Sequence, residues 1–204
     1  MTAPVVLVHG FASSFERNWR EPGWVDLLGE LGHTVIPFDL PGHGGAPKPH
    51  DPAAYDDLPA ALLAALPAEP VAAVGFSLGA RTLLTLAGRY PGRFTRLVVG
   101  GVGQNLLHPQ DTTPLADAIE AGEEPAHPLA AAFVRFAHAD GNDPAALAAC
   151  MRRVAPPLDA AGLGRITCPV LVVVGDRDPA APAEPLAALL PNARVLTVRN
   201  TDHL

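Results

Sequence analysis

Six short valine-rich apolar runs constrain this chain more than any other feature. They lie at residues 5–8, 34–38, 71–74, 97–99, 170–174 and 194–198, and most end at glycine or aspartate. Continuous apolar runs bounded by turn residues fit strands buried on both faces of a parallel sheet. The segments between them carry a helical period. Trp24, Leu27, Leu28 and Leu31 recur at that spacing, as do Leu58, Leu62, Leu63 and Leu66. A third helix is expected over 77–90, where Pro91-Gly92 stops it. Strands alternating with helices imply an α/β fold with a doubly wound, mostly parallel sheet, whose strand C-termini share one edge. Such sheets bind ligands at that edge.

One stretch departs from the alternation. From Gln104 to Ile166 no strand is expected, but helix starts are present. Thr113-Pro114 and Asp143-Pro144 each set a capping residue before a proline suited to the first helical position. The expected organisation is therefore a core formed by residues 1–103 and 167–204, with a small helical insertion at 104–166. At 204 residues there is room for one substantial core.

Composition narrows the partners. The net charge is −7 and Lys48 is the only lysine, so nucleic acid and anionic membrane are poor matches. No apolar stretch reaches the ~18 residues of a membrane helix. The N-terminus has no basic region before its short apolar run, so the expected address is the cytoplasm. Cys150 and Cys168 are expected to be reduced thiols. No cysteine or histidine cluster points to a metal, and no cofactor is expected.

Gly75-Phe76-Ser77-Leu78-Gly79 follows an expected strand and opens an expected helix. This G-x-S-x-G pattern is a sharp turn that presents its serine at a helix N-terminus, whose dipole favours developing negative charge. With 3 serines and 19 glycines in 204 positions, composition alone would produce it about 3% of the time. A serine hydroxyl needs an adjacent base. Among eight histidines, His203 lies just past the last apolar run, on the edge that carries Ser77. The acid that orients it is expected in Gly175-Asp176-Arg177-Asp178. Asp178 is preferred because it lies further into the loop, and Asp176 is the second choice. The strand end at Gly100-Gly101-Val102-Gly103 carries no carboxylate. The backbone amides of Leu78 and Phe11 are the candidate oxyanion donors.

These motifs together resemble the α/β-hydrolase family. The resemblance runs through Val8-His9-Gly10-Phe11, Asp39-Leu40-Pro41-Gly42-His43-Gly44, the serine motif, Pro169 to Asp178, and His203. It implies structural roles for Asp39 and His43, and a bracing role for His9. It also implies that 104–166 is a lid over the substrate. The serine sets the chain apart from relatives that attack through a carboxylate. In two respects the chain departs from the family: Gly45-Ala46 follows the glycine turn where serine is usual, and no helix follows His203. The second departure gives an expectation of low activity relative to a longer form.

The expected reaction is acyl transfer from a small-to-medium carboxylic ester through an acyl-enzyme. Thioester cleavage and carbon–carbon bond hydrolysis are alternatives on the same fold, as is a non-catalytic member that binds a hydrophobic ligand. Phe76, Phe133 and Phe136 are the candidate substrate contacts, with Phe11, Leu106, Leu129 and Met151 as further apolar candidates. Oligomeric state is not legible in the sequence.

Overall fold

The computed structural model describes residues 3–204. Its centre is a six-stranded parallel sheet of order β2-β1-β3-β4-β5-β6. The strands are β1 (Val5–Val8), β2 (Val35–Phe38), β3 (Val71–Phe76), β4 (Phe94–Gly100), β5 (Val170–Gly175) and β6 (Ala193–Val198). The helices are α1 (Trp24–Glu30), α2 (Leu58–Ala65), α3 (Leu78–Arg89), α4 (Thr113–Ala121), α5 (Pro128–Ala137), α6 (Pro144–Arg152), α7 (Ala160–Gly164) and α8 (Glu184–Ala187). All six apolar runs became strands; β1 matches its run, and the other boundaries shift by up to three residues.

Side chains alternate between the two faces of the sheet. Val6 and Val8 of β1 join the main core with Leu62, Leu83, Leu163 and Leu186 from α2, α3, α7 and α8. Val5 and Leu7 face the other way and join a smaller cluster with Phe15, Trp19 and Ala72, against which Val25 and Leu28 of α1 pack. Helices therefore lie on both faces, as a doubly wound sheet requires. Each fully buried Val or Leu contributes roughly 1.5–3 kcal/mol, so the larger cluster dominates stability. The close fit of α3 is visible at Gly88, where an added Cβ would lie 2.8 Å from the Gly162 carbonyl of α7.

Two expectations fail on the second face. Of the apolar stripe expected in the first helix, Trp24, Leu27 and Leu31 are 49%, 48% and 63% exposed. Only Leu28 of that stripe meets the sheet, together with Val25 three residues before it. The strands are also not buried on both sides throughout. Leu196 and Val198 of β6 are exposed, and their neighbours Leu171 and Val173 are only partly covered. The register sets Leu171 beside Val98, and Val173 beside Leu196, on that face. The helices α3 and α8 that contact β4 and β6 contribute to the core of the opposite face.

Between β4 and β5 the described residues form helices and turns only. Asp143 caps α6 as its sequence implies, its side chain accepting the Ala146 amide at 3.1 Å with Pro144 first in the helix. At α4 the start is one residue earlier. Thr113 is the first helical residue and Thr112 the cap. The Thr112 hydroxyl makes no cap and donates instead to the Met151 carbonyl, which ties α4 to the end of α6. Cys150 and Cys168 are free thiols. No described helix is long and apolar enough to cross a membrane.

Candidate functional site

Strand β3 feeds α3 through one residue, Ser77, at φ 51° and ψ −110°. A non-glycine residue at positive φ is strained, and the surroundings must hold it there. Its amide donates to the Gly100 carbonyl at 2.8 Å, which fixes it across the sheet. The turn needs glycine on both sides because the backbones pass so closely. A Cβ on Gly79 would lie 2.3 Å from the Val8 carbonyl oxygen, and one on Gly75 would lie 2.6 Å from Leu83 Cδ1.

Ser77 Oγ lies 3.0 Å from Nε2 of His203, and His203 Nδ1 lies 2.9 Å from Oδ2 of Asp178. The other carboxylate oxygen accepts the Ala180 amide at 2.8 Å. Asp178 is thus fully engaged in a buried position, as an orienting acid requires, whereas Asp176 is exposed. His203 is only 9% exposed. The ring of Phe76 lies 5.1 Å from it and that of Phe133 6.1 Å away, nearly edge-on. With Nδ1–H donated to a carboxylate, Nε2 is left free to accept the serine proton.

The loop after β1 supplies the opposite wall. Its conformation follows from His9 and Asn18. Leu40 N–H donates to His9 Nε2 at 3.0 Å, so the ring proton sits on Nδ1 and is donated to the Gly10 carbonyl at 2.7 Å. Asn18 Oδ1 accepts the Gly10 amide at 2.9 Å. In a trans peptide, C=O and N–H point in opposite directions. Holding the Gly10 carbonyl therefore sets the direction of the Phe11 amide. Neither that amide nor the amide of Leu78, first in α3, donates to another described backbone or side-chain acceptor. Leu78 is an orphan donor of a helix start.

His9 and His43 are both fully buried beneath this loop, their rings 5.1 Å apart. Burial pushes the pKa of each down, that of His43 to about 3 with a contribution from its histidine neighbour. His43 donates from Nδ1 to the Pro41 carbonyl at 2.9 Å, and its Nε2 has no described partner. Both are therefore neutral in the folded protein. The unfolded chain takes up these protons near pH 6.5, so their contribution is intact above that pH and declines as pH falls towards 3. At pH 4.5 His43 alone is expected to remove roughly 2–3 kcal/mol. Urea unfolding at pH 7.0 and 4.5 checks this. The drop should shrink in His43→Gln, and an unchanged drop would rule the assignment out.

A cavity of about 530 Å³ opens on Ser77 and His203. Phe11, Phe76, Phe133 and Phe136 line it, as do Trp19 and Trp24. The other apolar candidates do not. Leu106 and Met151 are buried in the main core and Leu129 lies elsewhere on α5. Sequence reasoning missed the Ser13 to Trp24 contribution because residues 16–20 form a wide helical turn, with the Glu21 amide bonded to the Glu16 carbonyl. Such a turn leaves no regular apolar period, and only the two tryptophans near the loop signalled it. Asn18 had no sequence signal. Among the described residues no group of histidine, cysteine and carboxylate side chains is arranged to hold a metal.

The sequence profile of the Alpha/beta hydrolase family matches residues 5–204, nearly the whole chain. The protein belongs to the alpha/beta hydrolase family. No curated protein sequence matches it significantly. Similar solved structures are a bromoperoxidase from Bacillus anthracis (TM-score 0.75, 21% identity, covering 100% of this chain and 86% of that one). NosK from Streptomyces actuosus is also similar (TM-score 0.72, 23% identity, 100% and 90%). So is a 2-hydroxy-6-oxo-6-phenylhexa-2,4-dienoate hydrolase from a Rhodococcus species (TM-score 0.68, 22% identity, 99% and 84%). At these identities the likeness concerns the alpha/beta hydrolase fold; chemistry has to be argued from the site.

Proposed function

We propose that this alpha/beta hydrolase cleaves small-to-medium carboxylic esters through an acyl-enzyme on Ser77. The observation that carries the reading is the unbroken hydrogen-bonded series from Ser77 through His203 to Asp178, opening on an aromatic cavity. Ser77 Oγ attacks the ester carbonyl as His203 Nε2 takes its proton. Asp178 holds the ring and stabilises the imidazolium. The Phe11 and Leu78 amides receive the oxyanion. His203 then protonates the departing alkoxide, and a water molecule, deprotonated by the same nitrogen, hydrolyses the acyl-enzyme.

Phe76, Phe133 and Phe136 contact the acyl or alcohol group. The cavity volume falls within the range of small-molecule pockets. Phe133 and Phe136 belong to α5, so the helical segment 104–166 serves as a lid that shapes access. Among the described residues lining the cavity, Arg17 is the only permanently charged side chain, which favours an ester over a coenzyme A thioester with its several phosphates.

The test is a series of p-nitrophenyl esters from acetate to octanoate, followed before steady state. A burst of nitrophenol equal to the enzyme concentration, with an acyl adduct on Ser77 by mass spectrometry, is expected. Saturable binding without burst or turnover would replace the enzyme by a ligand-binding protein.

The loop geometry adds a separate expectation. Asn18 holds the Gly10 amide, one peptide unit before the Phe11 amide that His9 aims through the Gly10 carbonyl, and so helps to position it. Asn18→Ala should lower kcat roughly 10- to 100-fold with little change in KM, because the interaction lost is made chiefly in the transition state. Steady-state kinetics would count against this if KM rose while kcat held.

A further inference from the structure

A second cavity, of about 200 Å³, lies on the flank of α3 away from the cavity of the reactive serine, between α2, α3 and the segment leading into α7. Its walls carry Arg81, Arg89, Arg153 and Arg165 against two carboxylates, Asp56 and Asp159. Four cations less two anions leave a local charge of +2, in a chain whose net charge is −7.

The ion-pair partners that normally accompany clustered arginines are missing for most of these. Among the described residues Arg89 alone has one, Asp57 at 2.5 Å. Arg81 donates to the Pro156 carbonyl, Arg153 to the Cys150 carbonyl at 2.6 Å, and Arg165 Nε to the Gly88 carbonyl at 2.8 Å. The two wall carboxylates are committed to backbone. Asp56 accepts the Val154 amide at 3.1 Å and Asp159 the Gly162 amide at 2.6 Å. Arg81 and Arg153 are both partly buried, and neither pairs with a described carboxylate. Burial and the neighbouring Arg153 charge bring Arg81 down to about 10. A guanidinium has five N–H donors, and each of these two spends few on the carbonyls named.

We infer that this cavity is a binding site for a tetrahedral oxyanion, gripped by Arg81 and Arg153. Two guanidiniums approaching from different elements, α3 and the end of α6, offer donors in several directions. That arrangement suits the oxygens of a phosphate or sulfate better than a single planar carboxylate, which one arginine satisfies side by side. The volume admits free phosphate and also a small phosphomonoester. Occupancy would offset the repulsion between like charges and so stabilise the fold by mass action. Arg81 is four residues beyond Ser77, its amide bonded to the Ser77 carbonyl, so the anion would sit one helical turn behind the reactive serine.

Thermal unfolding tests this with inorganic phosphate, sulfate and glycerol phosphate at up to 20 mM, each against chloride at equal ionic strength. The expected result is a saturable rise in melting temperature of about 3–6 °C. The rise should be absent in Arg81→Gln and in Arg153→Gln, and retained in Arg96→Gln on the uncovered sheet face. A response to inorganic phosphate and sulfate alone identifies a free oxyanion as ligand, and a larger one to glycerol phosphate identifies a phosphomonoester. Equal gains in wild type and both cavity variants would reveal general salt stabilisation and overturn the site, as would no gain in wild type. If one variant fails to fold, the other still decides, together with calorimetric titration of phosphate into wild type.

Discussion

Replacing Ser77 by alanine is expected to abolish ester turnover, lowering kcat by on the order of 10⁶. The size follows from what Ser77 does in the site. Among the described residues it is the only hydroxyl bonded to His203 Nε2, at 3.0 Å, and it is held at positive φ in the turn between β3 and α3. No neighbouring group can replace it as nucleophile: Ser13 lines the same cavity but makes no described bond to a histidine. The substitution removes one oxygen from a turn fixed by glycines and by the Ser77 amide bond to Gly100, so the fold should persist. Residual activity, about 10³-fold over water, would come from the two amides and from binding alone. A fall of only tenfold, with unfolding midpoint unchanged, would remove Ser77 from the chemistry.

The second large effect is expected at Asp178. Asp178→Asn should cost ~10⁴ in kcat, while Asp176→Asn should cost less than about threefold. The asparagine side chain would fill the same space, but it can present an N–H to His203 Nδ1 and so favour the tautomer that carries its proton on Nε2. A histidine protonated there cannot accept from Ser77. Asp176, two residues earlier and exposed, has no described side-chain bond to the histidine. Kinetics on the two variants, with circular dichroism to verify folding, separates these roles. Equal losses at the two positions would mean that the loop, rather than the carboxylate at 178, matters.

The order in which the chain was legible has physical reasons. Strand positions were readable because the central strands contain continuous apolar runs with glycine at or close to their ends, a local signal. Ser77 was readable because a turn this tight demands glycine at fixed offsets, so geometry is written into neighbouring letters. The preference for Asp178 over Asp176 rested on reach within one loop, and the structure sets Asp178 beside His203 at 2.9 Å.

What was hidden depends on contacts between distant segments. The stripe of Trp24, Leu27, Leu28 and Leu31 has a helical period, but which side of it meets the sheet is decided by how α1 docks, and of the four only Leu28, with Val25, took that place. The exposure of Leu196 and Val198 is likewise a matter of what packs over β6, which the strand's own residues do not encode. Asn18 acquires its role only when residues eight apart are folded onto one another, with Oδ1 meeting the Gly10 amide. The aromatic cavity was partly foreseen through Phe76, Phe133 and Phe136. The contribution of Trp19 and Trp24 needed the wide turn at 16–20, which has no periodic signature.

The proposed chemistry requires that His203 activate Ser77. The most direct measurement is labelling by a fluorophosphonate, read by intact mass and peptide mapping in wild type, Ser77→Ala and His203→Ala. One adduct per chain on Ser77 is expected in wild type, none in Ser77→Ala, and labelling slowed by at least about 10³-fold in His203→Ala. An adduct that survives in Ser77→Ala, or a folded wild type that takes up no label, would contradict the account.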